Sequence, residues 1–193
     1  MTPSPIKIEL RWMIKRDLRE VVAIDEISFM LPWSEQYFRE RLKFDKALGM
    51  VAVAGGKVVG YMVFECWQEH LGLIKISVHP DYRHQGIGTE LIKRLKWKLA
   101  IHSRKKIITV ASSVDLVAIN FLTALGFRVG PIDMNAHQGN AEDYVGLDFT
   151  VDHGVGPMLE RISDEEMQDR GWCPKDLDDG LEIIKGVLKH ESE

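Results

Sequence analysis

The sequence predicts an α/β (α+β) fold: a mixed central sheet of about seven strands flanked by helices, in the order βααβββαβαββ, with a helical C-terminal extension. Three features of the chain carry that expectation. Runs rich in β-branched and apolar residues alternate with stretches at helical spacing as far as residue 151. The pair Gly55-Gly56 joins two of those runs as a tight hairpin turn would. The segment Arg83-His84-Gln85-Gly86-Ile87-Gly88-Thr89 stands between a strand and a helix, where backbone N–H groups can gather around an anion.

Residues 6–13 alternate as a first strand, and residues 17–29 place Leu18, Val21, Val22, Ile24 and Ile27 near helical spacing. After the break at Leu31-Pro32-Trp33, Ser34 caps a second helix that runs to about Phe44, with Tyr37, Phe38 and Leu42 on one side. Residues 50–54 and 57–66 make strands two and three. Residues 71–78 form strand four, ended by His79-Pro80, and the glycine segment opens a helix to about Ser103 with Ile87, Leu91, Leu95 and Leu99 inward. Strand five covers residues 107–111. Asp115 caps a helix to Leu125, Gly126 ends it, and residues 127–132 and 143–151 make the last two strands.

One domain is therefore expected over residues 1–151 and an extension over residues 152–193. His153-Gly154-Val155-Gly156-Pro157 reads as a linker, and Ser163 with Glu166 as a capping box that starts a helix. A further helix over residues 177–189 sets Leu181, Ile184 and Leu188 near one face, although Gly180 and Gly186 each weaken it by roughly 1 kcal/mol relative to alanine. That face would dock on the domain or on another subunit, so a homodimer is among the expectations.

Composition narrows the class. The chain has 193 residues, 45% hydrophobic and 28% charged, the profile of an ordinary globular domain. A formal net charge of -4 offers no overall attraction to nucleic acid or acidic membranes. Cys66 and Cys173 are too few and too far apart for a disulfide framework or a zinc site, so reduced thiols and no metal are expected. No stretch approaches the roughly 20 apolar residues of a membrane span. A cytoplasmic protein without nucleic-acid or membrane partners is the expectation.

Gly86 and Gly88 remove side-chain bulk where a helix dipole adds positive potential, and a diphosphate is the natural ligand of such a loop. The other reading is that the glycines serve a tight turn and close helix packing. The stretch Ile76-Ser77-Val78-His79-Pro80-Asp81-Tyr82-Arg83-His84-Gln85-Gly86-Ile87-Gly88 resembles motif A of the GNAT superfamily of acyl-CoA N-acyltransferases, whose core is Q/R-x-x-G-x-G/A. Ala118-Ile119-Asn120-Phe121-Leu122-Thr123-Ala124-Leu125-Gly126-Phe127 is similar to the motif B helix and its terminal G-F. Phe29-Met30-Leu31-Pro32-Trp33-Ser34-Glu35 resembles the P-W-S segment of the RimI-like branch, which acetylates the N-terminal alanine of ribosomal protein. The resemblance covers about residues 6–151.

It implies a GNAT-type sheet and an acetyl-CoA-dependent N-acetyltransferase that acts on a primary amine. A protein or peptide N-terminus is the first choice of acceptor and a small-molecule amine the second, and a catalytically inactive acyl-CoA-binding regulatory module is the other class. It further implies that backbone groups of Ile76 and Val78 pair with the pantetheine arm like an added strand. Arg83, His84, Gln85, Gly86, Ile87, Gly88 and Thr89 would hold the diphosphate, with a hydroxyl contact from Thr89 and with Asn120 near the rest of the cofactor. Arg83 also reads as a solvated residue. Asp115 stands where the family usually has Asn, and a carboxylate near phosphates repels them, so the helix-cap reading is preferred there.

The family's usual proton-transfer positions are vacant. The motif B tyrosine position is Leu122, the strand-five glutamate position is Val110, and a strand-four tyrosine used by other N-terminal acetyltransferases aligns with Gly72. An α-amine of pKa near 7.8 costs only about 0.5 kcal/mol to deprotonate at pH 7.4, a lysine about 4 kcal/mol. The vacancies therefore favour an α-amine. His137, in the loop joining the last strands, is the best remaining base, since an unperturbed histidine titrates near pH 6.5. Glu65, Glu69 and His70 lie at strand ends, where charged residues usually face water. Trp33 and Tyr37 have two readings, a peptide groove and a hydrophobic staple. His79 reads as structural.

Overall fold

The computed structural model of the chain describes residues 6–44, 46–101, 104–130 and 144–150. Its elements run β1 (Glu9–Trp12), α1 (Leu18–Glu26), α2 (Glu35–Leu42), β2 (Ala47–Ala54), β3 (Lys57–Cys66), β4 (His70–Val78), α3 (Ile87–Ile101), β5 (Lys106–Ser112), α4 (Leu116–Ala124), β6 (Arg128–Gly130) and β7 (Tyr144–Thr150). They build one seven-stranded sheet in the order β1-β2-β3-β4-β5-β7-β6. Every adjacent pair is antiparallel except β4 with β5, which makes the sheet mixed as expected. The expected extension over residues 152–193 lies outside the described residues. Among the described residues no helix is long and apolar enough to cross a membrane, and no group of His, Cys, Asp and Glu could hold a metal ion.

Local chemistry sets the boundaries. Strand β1 is shorter than the alternation of residues 6–13 suggests, starting at Glu9 and ending at Trp12, after which the chain turns into a 3-10 segment at Lys15–Asp17. There the buried Asp17 accepts from the Ile14 N–H at 2.8 Å and pairs with Arg11 at 2.6 Å. Gly55 and Gly56 take φ of 55° and 80°, the left-handed pair a tight hairpin turn needs. Ser34 caps α2 by accepting from the Tyr37 N–H at 3.1 Å. Trp33, just before that cap, meets Phe38 in the next turn at a centroid distance of 5.1 Å, so the hydrophobic staple is realised.

The two faces of the sheet bury separate clusters. Leu48, Met50, Met62, Phe64, Leu71 and Leu73 pack with Leu91, Leu95 and Leu99 of α3. Val51, Tyr61 and Val63 pack with Leu18, Val21 and Ile24 of α1 and Phe38 of α2. A bulge changes the phase of β4: Val63 opposes Lys75 and Phe64 opposes Leu73, which leaves Ile74 as the extra residue. Leu71 and Leu73 face α3, whereas Lys75 reaches Asp25 of α1 on the opposite face.

Candidate active site

Strands β4 and β5 pair only where they start. His70, Leu71 and Gly72 oppose Lys106, Ile107 and Ile108, yet β4 continues to Val78 and β5 to Ser112. At the point of separation the Thr109 hydroxyl donates to the Leu73 carbonyl at 2.8 Å, taking the place of a ladder bond. The backbone hydrogen bonds of β4 determine what lines the gap. The His79 N–H donates to the Val59 carbonyl at 2.9 Å, so Val59 and His79 are a hydrogen-bonded pair and the next pair, Gly60 and Val78, is not. The alternation gives Met62 and Ile76 the same character. The N–H and C=O groups of Ile76 and Val78 therefore point away from β3, toward the gap that β5 has left.

The loop that follows is tightly curled. His79 caps a 3-10 turn at Pro80–Tyr82, accepting from the Asp81 N–H at 3.3 Å, which fits its structural reading. His84 and Gly86 both take left-handed φ, 60° and 81°, uncommon for a residue with a side chain. The Gly86 carbonyl accepts from the Glu90 N–H at 2.9 Å, so α3 starts here and its first-turn N–H groups lack intrahelical partners. A Cβ on Gly86 would meet nothing within 4 Å, whereas one on Gly88 would come 3.0 Å from the Phe121 ring. Gly86 thus serves the turn and Gly88 the close approach of α4, so each glycine has its own structural reason. Ile87 is buried in the core beneath the loop, and Thr89 is half-buried. The exposed Arg83 folds back instead of reaching outward, with Nε donating to the Val78 carbonyl at 2.9 Å and Nη2 to Ser28 Oγ at 3.3 Å. Gln85 donates to the Asp81 carbonyl at 3.2 Å.

Helix α4 shows where the motif B residues stand. Asp115 accepts from the Ala118 N–H at 3.0 Å and is its N-cap. Asn120 is exposed beside Phe121, which lies against Gly88, and Leu122 points into the core. Val110 is half-buried on β5 opposite Gly146. Neither Leu122 nor Val110 can move a proton.

The remaining titratable candidates divide. Glu65 is not the solvated strand-end residue expected: it is buried, pairs with Arg41 at 2.5 Å and accepts from Trp67 Nε1 at 3.1 Å. Residues of α2 reach over the end of β3 and cover it. Glu69 is exposed. His70 is the first residue of β4, half-buried and stacked on Trp67 at 5.9 Å. His137 lies outside the described residues.

One polar cluster escaped the sequence reading. Asp25, fully buried, accepts from Lys75 Nζ at 2.8 Å, from the Trp33 N–H at 2.6 Å and from the Tyr61 hydroxyl. Lys75 Nζ also lies 4.1 Å from the Phe29 ring centroid and 4.8 Å from that of Trp33. Burial lowers the Lys75 pKa against the raising effect of Asp25, while burial and Asp25 together push the Tyr61 phenol far up. The available signal was a charge inside an apolar run: Asp25 four residues after Val21, and Lys75 between Ile74 and Ile76.

Comparison with known proteins agrees with this geometry. The family model described as Acetyltransferase (GNAT) family matches residues 18–127. Acetyltransferase SG1711 of Sodalis glossinidius (strain morsitans) is 34% identical over 104 residues, covering 52% of this chain and 72% of that protein. Among solved structures, the ribosomal-protein-S18-alanine N-acetyltransferase from Escherichia coli superposes with a TM-score of 0.66 at 22% identity, over 79% of this chain and 99% of the other. The PaiA N-acetyltransferase from Thermoplasma acidophilum, solved in complex with coenzyme A, gives 0.59 at 16% identity, over 76% and 100%. Arabidopsis thaliana Naa50, solved with a bisubstrate analogue, gives 0.61 at 14% identity, also over 76% and 100%. At these identities the structures show a shared fold. The family match over residues 18–127, carried on a mixed sheet whose fourth and fifth strands part above a glycine loop, places the chain in the acetyltransferase (GNAT) family.

Proposed function

We propose that the chain transfers an acetyl group from acetyl-CoA to a primary amine, with the N-terminal α-amine of a protein or peptide as the acceptor. The observation that carries this reading is the backbone of Ile76 and Val78, which is turned away from β3 toward the gap between β4 and β5 and leads straight into the α3 loop, with only the Arg83 side chain on the Val78 carbonyl. Those groups suit the amides of a pantetheine arm, added like a strand. The first-turn N–H groups of α3 and the open space at Gly86 suit a diphosphate. His84, Gln85, Ile87, Gly88 and Thr89 would contribute mainly backbone there, and Asn120 stands on the adjoining helix. When a pantetheine amide takes the Val78 carbonyl, the Arg83 guanidinium is freed to meet the phosphates.

Bound acetyl-CoA supplies an activated thioester. The chain's own part is to orient it and to polarise its carbonyl through backbone donors of β4, without a proton donor at Leu122 or Val110. Such a site suits an amine already close to neutral at physiological pH, which favours an α-amine over a lysine. The N-terminal acetyltransferases among the structural neighbours support the same acceptor. The same missing side chains also favour the second reading, a module that binds acyl-CoA without turnover. Thiol release from acetyl-CoA, measured with peptides of free and blocked N-termini, tests the proposal. Release that depends on the free N-terminus supports it, release with internal lysine alone overturns the acceptor, and coenzyme A binding without release favours the module.

A further inference from the structure

The turn between α1 and α2, residues 27–33, is unusual in composition: it carries no charged side chain, and Met30 and Leu31 are 99% and 83% exposed. What holds so apolar a turn in place is the charged pair beneath it. Asp25, the penultimate residue of α1, binds the far end of the turn through the Trp33 N–H. Lys75 binds Asp25 and lies under the rings of Phe29 and Trp33, so the turn is gripped near its beginning and at its end.

Lys75 reaches that place because the Ile74 bulge turns it off the α3 face. It immediately precedes Ile76, whose backbone faces the β4–β5 gap. The turn and the gap are thus joined through adjacent residues of one strand. A buried ion pair is a poor device for stability, since apolar side chains of similar shape often stabilise as well or better. Its particular property is that each charge demands its partner in a narrow range of positions.

We propose that Lys75 and Asp25 are positioning residues for the acyl acceptor, holding the turn of residues 27–33 beside the β4–β5 gap so that the amine is presented to the thioester in one place. This rests on the acetyl-transfer reading above. The pair touches neither cofactor nor amine; it acts through Phe29 and Trp33.

The test uses the full chain with Lys75→Met, Asp25→Asn and the double variant Asp25→Leu with Lys75→Met, a peptide with an N-terminal alanine as acceptor, and coenzyme A as the binding probe. In each, the peptide KM is expected to rise about tenfold with kcat changed less than about threefold and coenzyme A affinity within about twofold, the pattern of a lost binding geometry. The double variant removes both charges and so keeps a folded protein in hand if either single variant unfolds. A KM that returns to the wild-type value in the double variant overturns the proposal, as does an equal loss of coenzyme A affinity. Hydrogen exchange over residues 27–34 needs no turnover, and the Trp33 amide is expected to exchange about tenfold faster in every variant. Unchanged exchange overturns the proposal even if the wild-type protein acetylates no peptide, a result that would instead count against the acetyl-transfer reading itself.

Discussion

Gly88 of α3 and Phe121 of α4 touch so closely that a Cβ on the glycine would lie 3.0 Å from the ring's Cζ. The start of the helix beneath the candidate phosphate loop is therefore set by a ring from the next helix. Gly88→Ala gains helix propensity of up to about 1 kcal/mol, but overpacking costs about 1–3 kcal/mol. A net loss in thermal stability and a weaker coenzyme A affinity are expected. Combining it with Phe121→Leu should recover the stability, and calorimetry on both variants checks the pair.

Arg83 bridges Val78 of β4 and Ser28 of the turn between α1 and α2 while itself exposed. Surface bonds of this kind contribute little, so Arg83→Ala should move the unfolding free energy by no more than about 0.5 kcal/mol. Coenzyme A affinity should nonetheless fall about tenfold, because a charge-assisted contact to phosphate contributes about 1.5–3 kcal/mol. Dephospho and pantetheine fragments separate the contributions, and pantetheine alone should bind both proteins alike.

Burial and the Asp25 carboxylate raise the Tyr61 pKa above its usual value near 10. A raised folded-state pKa contributes stability that is whole below the unfolded value and declines as pH rises beyond it. The wild-type protein should therefore lose stability as pH climbs above about 10, where the unfolded tyrosine ionises and the folded one does not. Tyr61→Phe should flatten that decline, at the cost of a lower plateau because Asp25 loses a donor. Denaturant melts from pH 8 to pH 11 read the slope directly.

Glu65 is held between Arg41 and Trp67 near the end of β3. Both of its oxygens are engaged, which makes it a structural carboxylate and not a base. Glu65→Gln should lower stability by about 1–3 kcal/mol, as loss of a partner leaves buried polar groups short of bonds. The pH profile of kcat should keep its shape. A lost alkaline or acidic limb in that profile would assign Glu65 to the chemistry.

What the sequence made legible follows from the range of the forces involved. Hairpin glycines, the Ser34 and Asp115 caps and the apolar spacing of α3 are local signals, and each reappears in the fold at its place. Lys75 was illegible because its face depends on pairing. Leu71, Leu73, Lys75 and Ser77 share one parity in the sequence, and only the mismatch with β3 at Ile74 divides them between two faces. Glu65 was misread for a related reason, since whether a strand end meets water depends on a helix more than twenty residues away. The extra start of β2 at Ala47 likewise rests on a neighbour, β3, whose Glu65, Phe64 and Val63 oppose Ala47, Leu48 and Gly49, residues with little β preference of their own.

The Thr109 hydroxyl on the Leu73 carbonyl has a consequence for the depth of the furrow between β4 and β5. Two parallel strands that begin to pair will go on pairing unless something interrupts the repeat, and here the next acceptor is already satisfied by a side chain. The inner end of the cleft is thereby fixed to one oxygen atom. A valine at that position would keep the shape of the side chain and lose the stop, leaving the two strands free to close further or to part earlier, and the reach available to a bound thioester would shift with them.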